Sequence, residues 1–262
     1  MPSSNNRLYP SLAIRILSVW YRHFRVYTKN IISNGLPPFL EPLIFLVGLG
    51  IGLDRYVTEM SGLPYLIFLA TGLPLTTAMY TAAFECSYGT FIRYEFEKVY
   101  DGMLAAPLSV CDLLLGEVLW AGTKGFFFSL AVILVLSVFG LMPYPGVLFT
   151  PVVGFLTGVL FASTSLLITS FVSNINHFNF YFTGVLSPMF FFSGVIFPLE
   201  NLPRVVQYFA ELLPLTHAVR LARNLNFANY EPVIIWDIAF IILFTFIAGY
   251  FGIGRLKRKL IH

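Results

Sequence analysis

The sequence predicts an all-α polytopic membrane protein: six transmembrane helices, an N-terminal amphipathic interfacial helix, and short external re-entrant helices between the fifth and sixth spans. Three observations carry this. Of 262 residues, 57% are hydrophobic and 11% charged, with a mean hydropathy of +0.79, which leaves far too little polar surface to coat a water-soluble core. The apolar residues gather in runs of about 20, the length that crosses a bilayer as a helix. Twenty Gly and sixteen Pro ill suit a soluble bundle this apolar but are tolerated in membrane helices, whose neighbours satisfy freed backbone groups. Residues 1–262 therefore read as a single transmembrane domain, with no room for a large extramembrane enzyme. A net charge of +3 is too small to argue for nucleic acid. Cys86 and Cys111, without metal-ligand spacing, read as small packing residues.

The start, MPSSNNRLYPS, is polar with no apolar core behind it, so no secretory signal is expected and the start should remain in the mature protein. Segment 11–30 sets Arg15, Arg22, Arg25 and Lys29 on one helical stripe and Ile16, Leu17, Trp20, Phe24 and Tyr27 on another, as in a helix lying in the headgroup plane. Spans are expected at 31–53, 65–84, 113–141, 147–172, 178–197 and 233–253. The third is over-long. Its cleanest apolar stretch is 125–142, so 111–124 should project toward water or lie tilted at the interface. Eleven Lys and Arg fall on the side holding the two termini, against four on the other, and this excess puts both termini in the cytoplasm.

Two connections stand out. Segment 93–107 is the densest charge cluster, with Arg93, Glu95, Glu97, Lys98 and Asp101, and interleaves Phe96, Val99, Tyr100, Met103 and Leu104 at helical spacing. It is either a short helix with a wet and a sticky face for a partner or a solvated loop. Segment 198–232 is too apolar for a free loop. Val205, Val206, Phe209, Leu212 and Leu213 suit one short helix and 215–225 another, punctuated by Pro203 and Pro214; broken helices of this kind dip into a leaflet or cap a bundle. His217 has no partner at ligand spacing and reads as a satisfied structural histidine.

An ionisable residue at a helix centre costs on the order of 3 kcal/mol. Glu41, between Pro38 and Pro42, either faces a cavity beside a kink or pairs with an arginine of the amphipathic helix. Glu85 and Asp237 fall near helix ends, where they should reach water. Glu117 and Lys124, about 10 Å apart along one helix face, read as interface or interhelical contacts. The aromatic residues of 178–197 form a lipid-facing belt or stack on sugars and acyl chains in a pathway. Phe178 is assigned to the belt, the cluster at Phe190, Phe191 and Phe192 stays open, and Glu41, Tyr181, Phe190 and Phe191 make the candidate substrate pathway. Gly48/Gly52, Gly154/Gly158 and Ala248/Gly252 are spaced for close helix contact. The sequence carries no phosphate loop, hydrolase triad, HExxH or CxxC. No catalytic, cofactor-binding or metal residue is expected, and the chain offers no evident site for ATP.

SGVIFPLENLP followed by LLPLTHAVRLAR, the segment FIRYEFEKVYDGMLAAPLS and the six-span plan with its amphipathic start resemble the membrane subunit of type-2 ATP-binding-cassette (ABC) exporters. LEPLIFLVGLGIGL and FLATGLPLTTAMYTAAFECSYGTF resemble the nodulation protein J group, whose members are associated with export of lipo-chitooligosaccharide signals. The resemblance covers essentially the whole chain. It implies that 93–107 holds the coupling helix that docks on a separate ATPase through Arg93, Glu95, Glu97, Lys98 and Asp101, that 173–177 is a second contact, and that 198–225 forms external re-entrant helices. It also implies a homodimer with two ATPase subunits in the bacterial inner membrane, with ATP and Mg on the partner and no cofactor on this chain. The expected cargo is an amphiphilic glycan. The alternatives are a small hydrophobic drug or polyketide, or an ion-coupled carrier using Glu41; a membrane-embedded transferase would need paired carboxylates or a metal cluster at one membrane face.

Overall fold

The computed structural model describes residues 10–52, 56–57, 59–60, 62–142 and 144–261. The chain begins with α1 (Leu12–Lys29) and, after a break at Asn30, α2 (Ile31–Phe45), which runs on through a π-helical segment at Leu46–Ile51. A two-residue hairpin, β1 (Glu59–Met60) with β2 (Leu63–Pro64), leads into α3 (Tyr65–Phe84), which continues through π turns at Glu85–Gly89 and Ile92–Phe96. Then follow α4 (Val99–Leu104), α5 (Val110–Val138) and α6 (Thr150–Phe171). After these come α7 (Phe178–Tyr181), α8 (Ser187–Phe192), α9 (Arg204–Ala210), α10 (Pro214–Asn226) and α11 (Val233–Ile261). Among the described residues four helices are long and apolar enough to cross a membrane: Tyr65–Phe96, Val110–Val138, Pro145–Phe171 and Val233–Leu260. The expected span at 31–53 includes residues outside those described. The expected span at 178–197 is helical from Phe178 to Phe192, about 22 Å at 1.5 Å per residue, and then turns.

The core lies between α3, α5 and α6, with α11 laid on α6. In α3 nearly every side chain is buried. Thr71 donates to the Phe68 carbonyl at 2.8 Å, and Thr76 and Thr77 both donate to the Leu73 carbonyl at 2.8 and 3.0 Å. The contact of α5 with α6 is close because it is made by glycine: a Cβ on Gly125 would stand 2.5 Å from the Gly154 carbonyl oxygen, and one on Gly158 2.9 Å from the Gly122 Cα. The Gly154/Gly158 spacing thus marks a real seam, as does Gly252 against Leu167. Nothing described lies within 4 Å of a Cβ at Gly48 or Gly52. Trp236, Phe246 and Tyr250 of α11 face outward, as lipid-facing side chains of a membrane helix do.

Three sequence expectations are corrected here. The first turns of α5 do not project into water, because α1 covers them: Val19 is buried against Gly116, and Arg15 pairs with Asp112 at 2.7 Å. Asp112 also closes the Ser109 capping box that starts α5. Phe178 is fully buried, edge-on to Phe91 and tilted against Tyr88, so it is packing and not belt. Asp237 does not reach water. It is fully buried and bound by His217 and Arg220 of α10.

Candidate functional site

A cavity of about 640 Å³ opens between α1, the start of α2, α3, α5 and the segment carrying α7 and α8. Its two ends differ in chemistry. Toward the middle of α3 it is lined by Leu73, Thr76, Thr77, Tyr80 and Thr81, faced by Phe182 and Phe190. At the other end stand His23 and Tyr27 of α1, Trp120 and Lys124 of α5, and Glu85 and Arg93 from the π-helical extension of α3. The π turns matter, since each extra residue rotates the face that follows it.

The charged end is internally neutralised. Glu85 accepts from Arg93 Nη1 at 2.7 Å through Oε1 and from Lys124 Nζ at 2.8 Å through Oε2. Arg93 Nε lies 2.9 Å from Glu117 Oε1, and Thr90 donates to Glu117 Oε2 at 2.8 Å. Two cations thus meet two anions across α3 and α5. His23 Nε2 sits 3.5 Å from Glu117 Oε1, too far for a hydrogen bond. Burial drives its pKa down to about 4 despite the nearby carboxylate, so it is neutral at pH 7. The Tyr27 hydroxyl is pushed up to about 12, first by burial and then by Glu85. Lys124 Nζ lies 4.9 Å from the Tyr27 ring centroid, and Tyr27 and Trp20 pack edge-on against Trp120. An aromatic collar therefore closes this end.

Of the four expected pathway residues, Phe190 lines the cavity. Tyr181 is buried in the bundle, its hydroxyl 2.9 Å from Ser165 Oγ. Phe191 is 45% exposed and belongs to a shallow outer groove with Ser187 and Phe197. Glu41 falls on α2, and its side chain lies outside the described residues. Sequence reasoning missed Tyr80, Phe182 and the Glu85 pairing with Arg93 and Lys124. The available signal was a lone carboxylate on one apolar run and a lone lysine on another, which demand each other in a low-dielectric interior. Glu85, expected in water, is in fact held between two cations.

The expected coupling segment divides. Glu95, Phe96, Glu97, Lys98 and Asp101 are exposed around the turn into α4, where Lys98 takes a left-handed conformation at φ 52°. Arg93 turns inward to the charge network and is not part of that face. The segment's base is fixed: Tyr94 and Tyr100 are buried, Lys259 of α11 lies over the Phe91 and Tyr94 rings, and its Nζ donates to the Val172 carbonyl. The exposed turn Ser173–His177 follows Val172, and Tyr88 donates to Asn179 just beyond it at 2.9 Å. Segment 93–107, this turn and the end of α11 therefore lie at the same end of the molecule.

Residues 15–227 match the ABC-2 type transporter family. Nodulation protein J of Sinorhizobium fredii is 34% identical over 245 residues, covering 94% of each chain. Nodulation protein J of Rhizobium leguminosarum bv. trifolii is 32% identical over 252 residues, 96% of each. The inner membrane transport permease YadH of Escherichia coli is 22% identical over 206 residues, 79% of this chain and 80% of its own. Such permeases pair with an ATP-binding-cassette subunit and sit in the bacterial inner membrane as multi-pass proteins. The chain belongs to the ABC-2 type transporter family, as a membrane permease of the nodulation protein J group.

Proposed function

We propose that the chain forms the membrane half of an ATP-driven exporter for an amphiphilic glycan such as a lipo-chitooligosaccharide. The observation that supports this most is the two-ended cavity. Hydroxyls and ring faces from Thr76, Thr77, Tyr80 and Phe190 suit sugars and an acyl chain, because stacking uses faces and tolerates varied rings. The charges at the opposite end pair with one another, so that end needs no counter-charge from an uncharged cargo. In this reading six segments cross the membrane, 31–53 and 178–197 included, with both termini cytoplasmic and 198–225 re-entrant from outside. Two copies act with two ATPase subunits, which bind ATP and Mg. Glu95, Glu97, Lys98 and Asp101 form the ATPase-coupling face, and Glu41 and Phe190 lie on the pathway, with Tyr181 buried beside Ser165 and Phe191 left on the outer groove.

The test is reconstitution. Vesicles holding this chain and its cognate ATPase should move a fluorescent lipo-chitooligosaccharide when ATP and Mg are supplied, whereas vesicles with the chain alone should move none and hydrolyse no ATP. Transport of a small hydrophobic drug, with the glycolipid left behind, would favour the drug or polyketide reading. Uptake by the chain alone, driven by an ion gradient, would overturn the ATP-driven one.

A further inference from the structure

The cavity is graded in chemistry along its length, and the gradient has a direction. Glu85 and Arg93 at its charged end stand on the stretch of α3 that leads into segment 93–107, and the apolar end lies deeper, at Leu73 and Phe190. Thr76 and Thr77 change that apolar end little: each has given its proton to the Leu73 carbonyl, leaving a methyl group and an acceptor but no donor for a guest. At the charged end Lys124 gives one of its three N–H groups to Glu85 and keeps two for other acceptors. The Tyr27 hydroxyl and His23 Nε2 are buried there and meet no hydrogen-bond partner among the described residues, a costly condition that a hydroxyl-bearing guest relieves. Tyr27 and Trp120 add ring faces.

Charge and size narrow the guest further. Arg93 and Lys124 balance Glu85 and Glu117, and Arg22 and Glu97, within electrostatic reach of each other beyond them, add one charge of each sign. A phosphate or ammonium head brought among these groups would leave one buried charge in excess, the costly arrangement. Sugar hydroxyls both give and accept hydrogen bonds without upsetting the balance. The volume of about 640 Å³ lies within the range of about 300–1,000 Å³ that takes one drug-sized molecule. It has room for roughly one or two sugar rings and the first part of an acyl chain, not for a whole oligosaccharide.

We propose that the cavity recognises the uncharged sugar ring that carries the cargo's acyl chain, with the ring seated against Tyr27, Trp120 and Lys124, the chain running toward Leu73 and Phe190, and the rest of the glycan outside. The class of cargo rests on the export reading; the polarity of the site does not. With the coupling end cytoplasmic, as that reading has it, this is the sense in which an amphiphile already lies in the inner leaflet, head toward the cytoplasm and tail toward the midplane. Cargo therefore enters without turning over. Anionic phospholipids, which share the tail, are refused at the charged end.

The probe is N-dodecanoylglucosamine carrying a photoreactive diazirine either on the sugar or at the tip of the chain, irradiated with the full-length protein in lipid nanodiscs and mapped by mass spectrometry. The sugar probe should label residues 23–34 and 117–124, and the chain-tip probe 73–81 and 182–190. Excess unlabelled N-dodecanoylglucosamine should remove both, and dodecyl phosphate should compete about tenfold less well. Tyr27→Phe should weaken binding of the sugar probe about fivefold, the effect of one lost hydrogen bond, without lowering the thermal midpoint, because the hydroxyl bonds nothing among the described residues. Reversed labelling, no competable labelling of these segments, or equal competition by dodecyl phosphate would overturn the proposal. So would a Tyr27→Phe chain that loses stability and keeps its affinity. Neither ATPase nor ATP is present, so this result is separate from that of the vesicle test: the expected labelling without ATP-driven transport would refute export and leave the site standing.

Discussion

Glu85 shows what a single ionisable residue demands inside an apolar bundle. Held between Arg93 and Lys124, it is tolerated because both oxygens are occupied, and losing either cation leaves charge buried without compensation. Lys124→Met should therefore lower the thermal midpoint of the purified chain, by about 3 kcal/mol of stability on the scale for broken buried pairs. Glu85→Gln added to it should recover much of that loss, since the double variant removes the charge as well as its partner. A double variant no more stable than Lys124→Met would mean the pair carries no coupling. His23 makes a pH prediction. Its folded pKa, about 4, lies below the ordinary 6.5, so between these values the unfolded chain binds more protons and stability falls as the pH drops from 6.5 to 4. The full effect is roughly 3 kcal/mol. His23→Gln should flatten denaturation midpoints across that window; an unchanged acid slope would show that other groups set it. None of this pairing was legible from one helix at a time. Glu117 and Lys124 share a helix and a face, but their partners come from the extension of α3, at a rotation that two π turns set and no hydrophobic periodicity records.

At the scale of elements, the sequence was most legible where one physical pattern suffices. The amphipathic stripe of 11–30 became α1, and the two prolines mark helix starts, Pro203 capping α9 and Pro214 opening α10, where a missing N–H costs nothing. What failed was the inference from apolarity to environment. Phe178 reads as belt and Asp237 as wet because a single chain cannot say which helix covers which; Phe91 covers the first and α10 the second. Segment 93–107, proposed to couple to the ATPase, divides for the same reason, with Arg93 drawn inward and Glu95, Glu97, Lys98 and Asp101 left on the surface. Glu97→Lys with Asp101→Lys should therefore weaken copurification with the ATPase at moderate salt, about tenfold in affinity, while insertion and thermal midpoint stay unchanged, since rim charges tune association without building the fold. Doubly reversed protein that binds its ATPase and exports normally would reduce this turn to a solvated loop. Arg93→Glu should instead destabilise the chain itself, and the contrast separates a docking residue from a buried one.

Across the whole molecule, the charge network, the cavity and Arg223 of α10 lie in sequence along α3, from its π-helical extension to Phe68 and Thr71 near its start, where Arg223 binds. One buried helix thus contacts the charge network, the cavity wall and α10. The two neighbouring phenylalanines of α8 divide the surfaces available to a cargo. Phe190 is buried and lines the cavity, whereas Phe191 is half exposed on the outer groove. If cargo passes through the cavity, Phe190→Ala removes a ring face from its wall and should cut ATP-dependent export about tenfold with the assembled complex still formed. Phe191→Ala should change export less than twofold if the outer groove only meets lipid or a second copy of the chain. Cysteine labelling sharpens the comparison. A residue-190 cysteine should be shielded from a water-soluble reagent by added glycolipid, and a residue-191 cysteine should not. Equal protection at both positions would move the pathway to the outer groove, and loss of export with Phe191→Ala alone would exclude the cavity as the route.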